Sequence, residues 1–160
     1  KISAEARNGK DAAELLVFDT PDEETGHYDF EQITQLIAGL CSEHWPQVVG
    51  IDPNRLIVMN SRLRDVYGIE TVSFPQNNAT MCQATSIVVN EVKAGELRLR
   101  GCPKLRAHLA NTVEMEREPY GMRFGKDSKK SKIDAAIALA IAALAYDKLV
   151  SGTESYVPVS

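Results

Sequence analysis

The sequence predicts an α/β fold, a central sheet flanked by helices, and three observations carry that prediction. Between residues 14 and 74, apolar runs of strand length alternate with segments patterned at the helical period. Turn or helix-stopping residues punctuate the boundaries, as in Gly26, His44-Trp45-Pro46 and Gly68. The order strand, helix, strand, helix, strand implies βαβ connections and a mostly parallel core, in which ligands sit near the carboxyl ends of strands.

Taken in order, residues 1–13 are polar and weakly patterned, and Glu14-Leu15-Leu16-Val17-Phe18 reads as a strand ending in the turn-rich Asp19 to Gly26 segment. Phe30, Ile33, Leu36, Ile37 and Leu40 recur at helical spacing from Asp29 until proline blocks continuation near Pro46. A buried strand over 47–51 follows and closes on Asp52. Pro53 to Tyr67 reads as a second helix stopped by Gly68, and Ile69 to Phe74 as the next strand. From Asn78 a long helical pattern (Met81, Ala84, Ile87, Val88, Val92) closes at Ala94-Gly95, and Leu97 with Leu99 makes a short strand. Cys102 to Leu109 reads as a short helix, and residues 112–125 as a hairpin around Pro119-Tyr120-Gly121. The last helix runs from Ile133 through Ala145 and beyond.

With 160 residues, 44% hydrophobic and 25% charged, the chain is expected to be one globular domain over 1–150 with a polar tail over 151–160. A net charge of -4 argues against a protein that coats nucleic acid with its whole surface, so any such contact is local. Cys41, Cys82 and Cys102 form no C-x-x-C pair, which fits a reducing cytoplasm and neither a disulfide framework nor a zinc ribbon. No membrane segment is expected, because the most apolar stretch, 133–145, is too short to span a bilayer. The start Lys1-Ile2-Ser3-Ala4, with no initiator Met and no signal-peptide core, is expected of an excised or processed piece.

Phosphate-loop, dinucleotide and nucleophile-elbow motifs are absent, which disfavours nucleotide-driven or hydride chemistry within this chain. His27, His44 and His108 are scattered and read as surface or locally bonded histidines; Trp45 and Tyr28 read as helix-end packing. The chemistry concentrates on two acids. Asp134 opens the otherwise apolar final helix on a face with Ile137, Ala138, Ile141 and Ala145, so its carboxylate meets packed protein unless it lies at the helix's exposed mouth. A plainer reading makes Ser131 an N-cap, with Asp134 answering the positive helix end. Asp52 has a similar alternative, as an N-cap followed by Pro53 at the first helical position.

Arg123, Lys126, Lys129, Lys130 and Lys132 lie just upstream of Asp134. In isolation such a run is a solvated loop. Beside an acid it suggests metal-dependent chemistry on phosphate, since cations position the backbone and carboxylate oxygens hold magnesium or manganese. A two-metal site needs about three converging acids with the metals about 3.5–4 Å apart, and the sequence displays two convincing ones.

The chain resembles the C-terminal nuclease domain of the large terminase subunit of tailed bacteriophages over roughly residues 27 to 148. The residues that carry the resemblance are, in order, the helix after Tyr28-Asp29, Gly50-Ile51-Asp52-Pro53, the Val72 to Gln76 segment and the Glu91-Val92-Lys93-Ala94-Gly95-Glu96-Leu97 helix end. Cys102-Pro103-Lys104-Leu105 with Asn111, and Lys132-Ile133-Asp134 before the Ala-rich helix, complete the set. The resemblance implies a ribonuclease H-like central mixed sheet flanked by helices, and cleavage of double-stranded DNA with two Mg2+ or Mn2+ ions held by acids. It places Asp52 and Asp134 as catalytic metal ligands and Lys129, Lys130 and Lys132 beside the DNA path. It also implies the portal protein and the small terminase subunit as partners, within the host cytoplasm.

One departure stands out: the family's first acid lies on an initial strand followed by two more, whereas here one clear strand precedes the first helix and Asp19 leads into a loop. The first catalytic strand is therefore expected to be missing, truncated or supplied differently. Two other readings compete, a non-catalytic docking domain and another ribonuclease H-like enzyme of the resolvase or integrase kind.

Overall fold

In the computed structural model, which describes residues 3–5, 12–14, 29–44, 46, 48–53, 56–99 and 102–151, the chain divides into two units. One runs from the first helix to Gln76; the other holds Asn77–Ser151 with two amino-terminal strands.

In the first unit, Asp29 accepts the Gln32 amide at 3.0 Å and so caps α1 (Phe30–His44). Helix α1 is followed by β3 (Val49–Ile51), α2 (Ile57–Asp65) and β4 (Thr71–Ser73). Strands β3 and β4 pair in parallel, with Ile51 opposite Ser73, which makes β3-α2-β4 the expected βαβ unit. Ala38, Met59 and Leu63 form the core, with Ile33, Ile37, Leu56 and Ile69 packed around them. Gly68, at φ +66°, lets its amide reach the Arg64 carbonyl while Ile69 reaches Leu63, and so turns the chain from α2 into β4. An exposed ion pair, Arg62 to Glu31 at 2.8 Å, joins α2 to α1 and contributes at most about 1 kcal/mol.

The second unit contains β1 (Ser3–Glu5), β2 (Ala12–Glu14), α3 (Asn78–Ala94), β5 (Arg98–Leu99) and α4 (Pro103–Ala110). The hairpin of β6 (Thr112–Arg117) and β7 (Gly121–Lys126) follows, then α5 (Asp134–Ser151). Asn77 caps α3 by accepting the Thr80 amide, and Gly95, at φ +71°, ends it by bonding back to Glu91 and Val92. The α3 residues Met81, Cys82, Ala84, Thr85 and Val88 are buried, and α3 packs on β7 and α5. The Phe124 amide donates to Thr85 Oγ1 at 3.0 Å, which ties hairpin to helix inside the core. Helix α5 buries Ala135, Ala136, Ile137, Ala140, Ile141, Leu144 and Ala145, and leaves Ala138, Ala142 and Tyr146 exposed.

Three expectations need correction. Two short strands involve the supposedly unpatterned residues 1–13, β2 running on to Glu14, and they pair antiparallel with each other and, through β1, with β5. Three-residue strands are too short to show alternation, so pairing alone reveals them. Helix α2 begins at Ile57 rather than Pro53, and Leu56 offers no side-chain cap. Among the described residues β3–β4 is the single parallel pair, the other pairings being antiparallel, so the strands are mixed rather than mostly parallel. Of the expected strand over 14–18, Glu14 ends β2 and the remainder lies outside the described residues, as do the turn from Asp19, His27, Tyr28, Trp45 and the tail beyond Ser151.

Candidate metal-binding acids and their surroundings

Asp52 follows the last residue of β3 and is half-buried. The Phe74 amide bonds the Ile51 carbonyl at 2.8 Å, extending the ladder by one step, so the chain beyond β4 runs beside the chain beyond β3. That alignment brings Gln76 within reach, and its Nε2 donates to Asp52 Oδ2 at 3.0 Å. Asp52 does not cap α2, because the helix starts five residues later. Its carboxylate is held at the carboxyl edge of a parallel pair, where α/β folds place ligands.

Asp134 is the first residue of α5 and is exposed, not packed against the core. The expected face is only partly buried. Ile137, Ile141 and Ala145 are buried as expected, but Asp134 lies at the mouth of the helix and Ala138 is also exposed. The carboxylate there faces the positive end of the α5 dipole. Ser131 is not its cap: the Ser131 hydroxyl donates to Asp127 and meets the Ser128 hydroxyl at 2.8 Å. The Ala135 amide is instead satisfied by His108 Nδ1 at 3.0 Å. His108 is 6% exposed and bonded 27 residues away, so it is neither a surface nor a locally bonded histidine.

Lys129, Lys130 and Lys132 lie exposed on the segment leading into Asp134, in the same unit. Arg123 is engaged differently, donating to Asn78 Oδ1 at 2.9 Å. Asp52 and Asp134 belong to different units. Reasoning from sequence missed Gln76, His108 and Asn111 as partners of these segments. For Gln76 a signal existed, since parallel strands end on one edge and the residues just past their ends become neighbours.

Carboxylate oxygens are hard donors of the kind magnesium and manganese require. Among the described residues, no group of three or more His, Cys, Asp or Glu side chains could hold a metal ion. The two acids therefore fit such an ion in chemistry, and a complete ligand set is not found within the described residues. Among those residues, no helix is long and apolar enough to cross a membrane.

Comparison with known proteins gives one family and one structure. The family model described as terminase large subunit, endonuclease domain, matches residues 3–148. The crystal structure of the HK97 bacteriophage large terminase superposes with a TM-score of 0.65 at 20% identity. The match covers 75% of this chain and 25% of that one, so this chain corresponds to about a quarter of the HK97 terminase chain. No curated protein matches. At that identity the likeness establishes the fold, an α/β, ribonuclease H-like arrangement. With nearly its whole length matched, the chain belongs to the terminase large subunit endonuclease-domain family.

Proposed function

We propose that residues 1–150 act as the divalent-metal-dependent endonuclease domain of a phage or prophage DNA-packaging terminase, hydrolysing phosphodiester bonds of double-stranded DNA. The observation that carries this reading is the setting of Asp134, an exposed acid at the positive end of an apolar helix and directly after exposed lysines. Asp52, at a parallel-strand end and oriented by Gln76, supplies the second carboxylate.

Asp52 and Asp134 would hold Mg2+ or Mn2+, which when bound lowers the pKa of a water nucleophile and stabilises the leaving oxygen. Lys129, Lys130 and Lys132 would neutralise phosphates and align the duplex without reading its bases. Gln76 fixes one oxygen of Asp52, leaving its carboxylate in a defined orientation. By kinship with packaging terminases, the partners would be duplex DNA, the portal protein and the small terminase subunit, inside the host cytoplasm.

A second reading is a docking domain without activity. Incubating supercoiled plasmid with the chain in manganese, magnesium or EDTA separates the two. Nicking that requires the metal supports the nuclease; a folded chain that leaves the plasmid intact in all three favours docking.

A further inference from the structure

We propose that His108 and Asn111 form a backbone clamp that sets where Asp134 emerges, which makes both of them positioning residues; the inference rests on Asp134 being a metal ligand. Asp134 is exposed, so burial in the core does not fix it. The backbone on either side of it is pinned. On one side the Ala135 amide donates to His108 Nδ1 at 3.0 Å; on the other, Asn111 Nδ2 donates to the Lys132 carbonyl at 3.2 Å. Only Ile133 and Asp134 lie between the two pinned residues.

Chemistry explains why a remote histidine does this work. The first amides of a helix have no partner within it, and a nearby serine or aspartate ordinarily accepts them. Here the Ser131 hydroxyl is engaged by Asp127 and Ser128, so the acceptor comes from α4. A ring nitrogen that accepts carries no proton, which places the neutral imidazole's proton on Nε2. The clamp is stiff because α4 is itself docked: Leu105 and Cys102 pack on Ala135, with Leu109 and Leu139 beside them.

Asn111 acts twice. Its carbonyl accepts the Asp127 amide at 3.4 Å while its side chain holds Lys132, so one residue closes both ends of the 127–132 loop that presents Lys129 and Lys130. Clamp and loop together hold the acid and the lysines on one segment whose two ends are fixed.

The test compares the full chain with His108→Leu, His108→Gln, Asn111→Ala and Asp134→Asn. It reads manganese binding by electron paramagnetic resonance and Ala135 amide exchange by NMR. His108→Leu and Asn111→Ala are expected to bind manganese about tenfold more weakly, the low end of what loss of outer-shell support to a metal ligand costs. His108→Leu also loses Ala135 protection, and His108→Gln, which keeps an acceptor oxygen, restores both readouts. Asn111 is only partly buried, so Asn111→Ala carries the test where His108→Leu does not fold. The clamp is overturned where Asp134→Asn loses manganese but the clamp variants bind it as wild type does. Should Asp134→Asn itself bind manganese normally, the metal reading fails and takes the clamp with it.

Discussion

Gln76 Nε2 lies 3.0 Å from Asp52 Oδ2, joining the residues just beyond the ends of two parallel strands. The pairing follows from register: Ile51 opposes Ser73, and the chain continues side by side past both. An amide donor on one carboxylate oxygen restricts the rotation of the acid and leaves the other oxygen's direction defined.

Gln76→Leu is therefore expected to lower metal-dependent cleavage by about tenfold. Because Gln76 is exposed, stability should change by no more than about 0.5 kcal/mol. Plasmid nicking beside a thermal melt checks both, and a variant that melts normally and cuts at the wild-type rate contradicts the role.

Replacing Lys129 and Lys130 by alanine is expected to weaken duplex binding equally for unrelated sequences. The plot of log affinity against log salt should flatten by about 0.9 for each phosphate that is no longer neutralised. Fluorescence anisotropy across a salt series measures this, and a weakening confined to one sequence would point to base recognition instead.

Thr85→Val removes the buried acceptor of the Phe124 amide while keeping nearly the same shape. An orphaned buried donor costs about 1–3 kcal/mol, so the urea midpoint should fall accordingly. An unchanged midpoint would mean that α3 and β7 are held by apolar packing alone.

Burial pushes the Cys41 thiol up from its ordinary range, because the thiolate loses hydration. The neutral thiol is the favoured form at neutral pH, so alkylation by iodoacetamide should be slower than at an exposed cysteine. Its rate should keep climbing at pH values where a free thiol has levelled off. Mass spectrometry of the Cys41 peptide across pH gives the profile, and an inflection at or below that of a free thiol contradicts the effect.

How much of this is legible in the sequence depends on the range of the forces involved. Helices α1 and α3 are readable because their apolar period and their stops, Pro46 and Gly95, are local. The start of α2 is obscured because Asp52-Pro53 imitates a helix opening, while the observed first turn leaves Ile57 and Val58 exposed. Strands β1 and β2 escape because their only definition is pairing, in part with β5 far along the chain. Asp52 and Asp134 stand out as acids at element ends, but the pattern leaves open whether Asp134 meets packed protein or lies at the helix mouth, because its immediate neighbours Ala135, Ala136 and Ile137 are all buried. His108 is illegible for the same reason as β1: its partner amide lies 27 residues away.

The most direct test of the central claim is nicking of supercoiled plasmid in manganese by the wild-type chain, Asp52→Asn and Asp134→Asn, each confirmed folded by its melt. The expected result is nicking by the wild type that EDTA abolishes, and none by either variant. A variant that nicks as fast as the wild type would remove its acid from the site.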